Sequence, residues 1–174
     1  MKFAGFTLYE LLITLAVIAI TLTIGVPSFN KAIQDSRTKT AALALLEAIE
    51  TTRSTAVFLN QSTILTAVNN KWHEGWTLFV DTNNNEVLDD NDKIIRVNEG
   101  LDSVITSALS PMNRYVAFIG TGEGHQLTTR GFLSGHIKIC PKAQGDGYKL
   151  ILSKGGRTRV EKLPNTDCNT VRQP

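Results

Sequence analysis

Hydrophobic positions along the chain fall into three regimes. From Phe6 to Val26 the side chains are apolar with scattered threonines and one tyrosine, and Glu10 is the only charged residue. From Pro27 to about Leu59 apolar residues recur near helical spacing at Phe29, Ile33, Leu43, Leu46, Ile49, Ala56 and Val57. No glycine interrupts that stretch, so the helix is predicted to continue through Leu59, laying an apolar stripe on a sheet. Beyond it the pattern shortens. STILTAV, GWTLFVD, KIIRVNE, SVITSAL, RYVAFIG, GHIKICPK, GYKLILS and GRTRVEKL are β-branched or aromatic and bounded by Gly, Asn, Asp or Pro. One long helix followed by a run of strands predicts an α+β fold. The tail from Asn165 to Pro174 carries little pattern and is expected to be loosely held.

The first regime has the dimensions of a bilayer. As a helix Phe6–Val26 is about 31 Å long at 1.5 Å per residue, against a hydrocarbon core of about 30 Å. An acidic side chain at the centre of such a helix costs about 2.5–3.5 kcal/mol. Glu10 lies nearer the end and costs less, but its carboxylate either snorkels to the headgroups or needs a partner. A conventional secretory signal does not fit, because its small-residue cleavage site follows the apolar core. Here the small residue, Gly5, precedes it.

Lys2, Gly5, Phe6, Thr7, Leu8 and Glu10, with Pro27 further along, resemble the class III signal of type IV prepilins and type II secretion pseudopilins. The resemblance implies a leader of residues 1–5, a transmembrane and assembly helix over 6–27, and a globular domain over 28–174 that includes the rest of the helix. It implies cleavage after Gly5 by a prepilin peptidase and methylation of Phe6 as the new amino terminus. It also implies that Glu10 pairs with the terminal amine of a subunit in the growing filament. Pro27 stands where that family's helix kinks.

The 174 residues suffice for this anchor and one modest domain. A net charge of +2 decides little, but its distribution is uneven. Residues 1–124 hold 9 Lys/Arg and 13 Asp/Glu, whereas residues 125–174 hold 9 and 3. On charge alone, an anionic partner for the C-terminal region and a solvated basic face fit equally well. Lys2 favours a cytoplasmic N-terminus, which puts the domain in the periplasm, where disulfides persist. Cys140 and Cys168 allow one pairing. It would tie the tail to the strand GHIKICPK and contribute about 3–4 kcal/mol by closing the loop between them. Two cysteines without C-x-x-C spacing make no zinc site.

Candidate chemistry is sparse. In DTNNNEVLDDND, Asp81, Asn83, Asn85, Asp89 and Asp92 fall at positions 1, 3, 5, 9 and 12 of an EF-hand-type loop. Glu86 occupies the glycine position and Asp92 replaces the long bidentate glutamate, so a polar turn is the simpler reading. GTGEGH (120–125) has spaced glycines after a strand, but no helix pattern follows, and a turn is expected. His73, His125 and His136 lack metal-ligand spacing, and there is no nucleophile elbow. Trp72 and Trp76 are expected to pack. No enzyme and no cofactor is predicted.

SKGGRTRVEK (153–162) remains. Gly155-Gly156 predicts a hairpin turn, with Lys154 at the turn. Arg157 and Arg159 then share a strand face, about 6.8 Å apart at 3.4 Å per residue. Lys162 falls on the opposite face. Guanidinium forks suit phosphate oxygens, although on periodicity alone two solvated strand arginines are the simpler reading. The texts TTRSTAVFLNQSTI, GWTLFVDTNNNEVLDDNDKIIRV and GGRTRVEKL resemble the GspH/FimT branch of pilin-like proteins, and Gly156–Arg159 matches the GRxR motif of FimT-type minor pilins. The resemblance implies a type IV pilin-like fold, with a long helix on a mainly antiparallel sheet. It implies a minor pilin that binds DNA through Arg157, Arg159 and Lys154 during natural transformation. Its partners would be DNA, other pilin subunits, the peptidase and, before assembly, inner-membrane lipid. A structural minor pilin or type II secretion pseudopilin needs Glu10 but not the arginines.

Overall fold

The computed structural model describes residues 7–126, 129 and 131–172. Lys2, Gly5 and Phe6 lie outside the described residues. A helix, α1 (Leu8–Leu59), is followed by strands β1 (Thr63–Ala67), β2 (Trp76–Val80), β3 (Lys93–Asn98), β4 (Val104–Ala108), β5 (Tyr115–Phe118), β6 (Gly135–Pro141), β7 (Gly147–Leu152) and β8 (Thr158–Leu163), then by helix α2 (Asn165–Arg172). Each of the eight predicted strand segments is a strand. The long helix ends at the expected residue because Asn60 takes a left-handed conformation (φ 51°) and its N–H caps the Ala56 carbonyl. Asparagine tolerates that conformation better than most residues.

From Thr7 to Ile33 every helix residue is exposed. Glu10 apart, the stretch of α1 up to Val26 is apolar on all sides and long enough to cross a membrane, and the helix runs on through Pro27 without a break. A helix segment apolar all round and unburied by its own domain is fit for lipid or for neighbouring helices.

The stripe that packs on the sheets keeps Ile49 and Ala56 of the expected one and otherwise differs from it. Thr38, Ala41, Ala42, Leu45, Ala48, Ile49, Thr52 and Ala56 are buried, whereas Phe29, Leu43 and Val57 are largely exposed. The reason is size. Four alanines let the helix backbone approach the strands closely, leaving room only for Leu45 and Ile49 as large knobs. Phe29 is exposed where α1 leaves the domain, and Ile33 lies at the domain's edge, lining a depression with Ser103 and Lys142.

The expected sheet divides into two four-stranded antiparallel sheets, ordered β3-β2-β1-β5 and β4-β6-β7-β8. Their inner faces share one core with α1, including Leu65, Leu78, Phe118, Ile137, Ile139, Leu150 and Leu152. Trp72 and Trp76 pack into it as expected, and Trp72 Nε1 donates to the Met112 carbonyl at 2.8 Å.

The outer face of the second sheet has two ends. One is covered by α2, where the Cys140–Cys168 disulfide sits among Leu163, Ile105 and Val171. Gly147 lies beneath the disulfide, and a Cβ there would come within 2.6 Å of Cys168 Sγ. The tail is therefore not loose through Arg172. The Arg172 guanidinium donates to the carbonyls of Pro141 (3.0 Å) and Gly145 (3.2 Å) and to the side chains of Asn165 and Asn169. These tertiary anchors, absent from any local pattern, turn a polar tail into a helix. Thiol labelling of the unreduced protein in denaturant is expected to find no free cysteine. Replacing both cysteines with alanine should cost about 3–4 kcal/mol in a denaturant titration. The other end of this outer face is open.

Candidate nucleic-acid interface

β7 and β8 pair in register from Gly147↔Leu163 to Leu152↔Thr158. Ser153 and Arg157 close the hairpin, with Ser153 N–H donating to the Arg157 carbonyl at 3.0 Å. The Gly156 N–H donates to the Ser153 carbonyl at 2.9 Å, and the Arg157 N–H donates to Ser153 Oγ at 3.1 Å. Gly156 has φ +78°, as the last residue of a three-residue hairpin loop requires. It also has no room for a side chain. A Cβ there would strike the Gly122 carbonyl and come within 3.1 Å of Arg53 Nε. Arg53 of α1 in turn donates to the Gly122 carbonyl at 2.9 Å. GTGEGH is a turn, as expected, and serves as the rest on which the hairpin tip lies.

Above that support, Lys154, Arg157 and Arg159 are exposed. Arg157 and Arg159 share a face and, with Ile151 and Ser153, line one shallow open depression. Lys162 lies on the other face, lining a small cleft with Asp35, Asp146 and Tyr148.

Strand pairing adds residues that the linear sequence does not reveal. Arg159 lies opposite Ile151, which lies opposite His136. In the next row on the same face, Glu161 lies opposite Lys149, and Lys149 opposite Lys138. Burial, with Lys149 and Lys138 nearby, lowers the His136 pKa. Arg159 Nε donates to Glu161 Oε1 at 3.0 Å, and Lys149 Nζ lies 3.7 Å from Glu161 Oε2. The open end of the outer face is thus a basic surface spanning β6, β7 and β8, with one carboxylate in it.

At the far end of the molecule, Glu10 forms a capping box with Thr7. Thr7 N–H donates to Glu10 Oε2 at 2.9 Å, and Glu10 N–H donates to Thr7 Oγ at 3.2 Å. T-x-x-E at a helix start is a sequence signature of this arrangement. It gives Glu10 a partner within its own chain that the sequence reading missed.

Residues 41–156, about two thirds of the chain, match the model of the family described as Type II transport protein GspH. The chain belongs to this family. The match ends at Gly156, so Arg157 and Arg159 lie just outside it. A comparison with curated proteins returns no match. Among solved structures, the type IV minor pilin FimU of Pseudomonas aeruginosa (strain PAO1) is similar, with 18% identity and a TM-score of 0.57 over 76% of this chain and 92% of that one. The minor pseudopilin EpsH from the Type 2 Secretion System of Vibrio cholerae is similar at 12% identity and a TM-score of 0.51, over 72% and 96%. The fold of this GspH-family chain is thus pilin-like.

The acidic loop of this GspH-family domain is held by its own hydrogen bonds. Asp81 is buried, and its two oxygens accept the N–H groups of Asn85 (3.1 Å) and Glu86 (3.0 Å). Asp92 accepts from the N–H groups of Thr82 and Asp89, both at 3.0 Å. Asp89 accepts from Asn91 N–H and from the side-chain amides of Asn83 and Asn85, which hold its pKa below the ordinary value. Asn84 and Glu86 take positive φ, so the glycine position of an EF-hand-type loop is occupied here without glycine. Among the described residues no group of three or more His, Cys, Asp and Glu is gathered to hold a metal. Since the carboxylate oxygens face N–H donors, millimolar calcium is expected to leave the melting temperature unchanged. A rise, as linkage would produce, would restore the calcium reading.

His73 is likewise internal: its Nδ1 accepts the Thr106 N–H at 3.1 Å, which requires a neutral ring, and burial lowers its pKa.

Proposed function

We propose that this protein is a minor type IV pilin that captures DNA without sequence preference and supports DNA uptake in natural transformation. The observation that carries the reading is the β7–β8 hairpin, which presents Arg157 and Arg159 side by side on an exposed, uncovered face with Lys154 at its tip. Guanidinium forks at that pitch suit successive phosphates of one strand. Among the described residues that line this depression none is aromatic or carries an amide side chain for reading base edges, so affinity comes from phosphates. The remaining parts serve delivery. Residues 1–5 form a leader removed by prepilin peptidase after Gly5, and Phe6 becomes the methylated amino terminus. The apolar helix of residues 6–27 resides in inner-membrane lipid, with residues 28–174 in the periplasm, until Glu10 sets its register among other pilin subunits. The function needs no cofactor and no catalytic step. The experiment is equilibrium binding of the purified full chain, in neutral detergent at low salt, to two duplexes of unrelated sequence. Similar affinities for both are expected, and no binding to either would end the reading.

A second reading is favoured by the family match and the likeness to EpsH: a pseudopilin or priming pilin that acts in filament assembly alone. It predicts that the arginines can be replaced without consequence.

A further inference from the structure

The basic face holds one acidic residue, and its position is specific. Glu161 follows Arg159 by two residues on the same face and lies directly opposite Lys149. Each of its oxygens is engaged, Oε1 by Arg159 Nε at 3.0 Å and Oε2 by Lys149 Nζ at 3.7 Å. Both partners are thereby held at Glu161 on the edge strand β8. Lys138 extends the row onto β6, opposite Lys149. Of the charged side chains in these rows, Arg157, Arg159, Lys149 and Lys138 are cationic and Glu161 alone is anionic. The surface stays open because α2 and the disulfide cover only the other end of this face.

We propose that Glu161 is an internal counter-anion that DNA phosphate displaces from Arg159 and Lys149, and that the phosphate path runs from the hairpin tip across β7 to Lys149 and Lys138. This inference rests on the reading of the hairpin as a DNA site. The physical basis is competition for the same donors. A carboxylate and a phosphate oxygen accept the same guanidinium and ammonium hydrogens, and exposed ion pairs such as these are worth only about 0–1 kcal/mol. The internal pair is thus weak enough to exchange for a phosphate. It also screens the face, because a fixed negative charge repels an incoming polyanion. Charge complementarity selects the occupant: Lys149 and Lys138 on adjacent strands about 4.8 Å apart, beside Arg157 and Arg159 on β8, meet the closely spaced charges of a nucleic-acid backbone. Glu161 sets how tightly the arginine hairpin holds DNA, and its strand partners lengthen the site.

The test uses the full chain in neutral detergent and a fluorescent duplex, with binding measured across a salt series. Glu161→Gln should bind about two- to fivefold more tightly at low salt, with a salt slope steeper by up to about 0.9. The gain should shrink when Arg159→Gln and Lys149→Gln are already present, because the donors that Glu161 occupies are then gone. Lys138→Gln with Lys149→Gln should weaken binding and flatten the slope by up to about 0.9 per contact, with Arg157 and Arg159 intact. Circular dichroism confirms that each variant is folded. The inference is overturned if the parent binds through the arginine pair while Glu161→Gln binds no more tightly or the lysine variant is unchanged. If the parent does not bind DNA at all, the hairpin reading itself has failed, a result separable from the first.

Discussion

Replacing Arg157 and Arg159 together with glutamine is expected to abolish DNA uptake while leaving the protein folded, processed and delivered to the filament. The fold should survive because both side chains are exposed and neither supports the turn, whose bonds are made by Ser153, Gly156 and the Arg157 backbone. Exposed substitutions of this kind change stability by about 0.5 kcal/mol or less. The one side-chain pair lost, Arg159–Glu161, lies on the surface and is worth about 1 kcal/mol at most. Binding should suffer far more. A hydrogen bond to a charged group is worth about 1.5–3 kcal/mol, so each arginine removed should weaken DNA binding about tenfold or more at low salt. The loss should be similar on every sequence, because phosphates carry no base information. Normal melting, normal filament delivery and lost uptake in one variant would separate capture from assembly. A chain acting only in assembly would show no defect.

Glu10→Ala is expected to have the opposite profile. Cleavage after Gly5 should continue, but incorporation into the filament should fall sharply. The carboxylate is the only charged group between Phe6 and Val26, and in the isolated chain it is bonded only locally, to Thr7. Losing that capping box costs about 1 kcal/mol at the helix start, too little to unfold a domain whose buried helix residues begin at Thr38. A large loss of incorporation would therefore report a missing partner in the assembled filament. Glu10→Gln retains the acceptor without the charge and should be nearly as defective if a terminal amine is that partner. Wild-type incorporation of Glu10→Ala would remove the assembly role.

The strands and the helix end were legible because their signals are local. Turn residues punctuate each strand, and Asn60 caps α1. The hairpin was legible for the same reason: Gly155-Gly156 marks the turn, and two-residue spacing puts Arg157 and Arg159 on one face. What was not legible depends on contacts between distant segments. The helix stripe was read mostly from large apolar residues, whereas close packing selected Ala41, Ala42 and Ala48 beside the expected Ile49 and Ala56 and left Phe29 and Leu43 outside. The division into two sheets sends β4 to one sheet while its sequence neighbours β3 and β5 join the other, which no local pattern encodes. Helix α2 is polar and owes its order to Cys168 and Arg172. Lys138 and Lys149 joined the candidate site only through the β6–β7–β8 register, and Glu161 became its counter-charge in the same way. The capping role of Glu10, by contrast, was readable from T-x-x-E.

Capture of DNA through phosphates by the arginine hairpin is tested most directly by the salt dependence of duplex binding for the full chain and for Arg157→Gln/Arg159→Gln, measured side by side. The parent should bind at low salt, with log K falling linearly as log salt rises. The double variant should bind more weakly, with a slope shallower by about 1.8 if each arginine neutralises one phosphate. Binding of equal strength and equal slope by the two proteins would contradict the account, as would a parent that fails to bind at low salt.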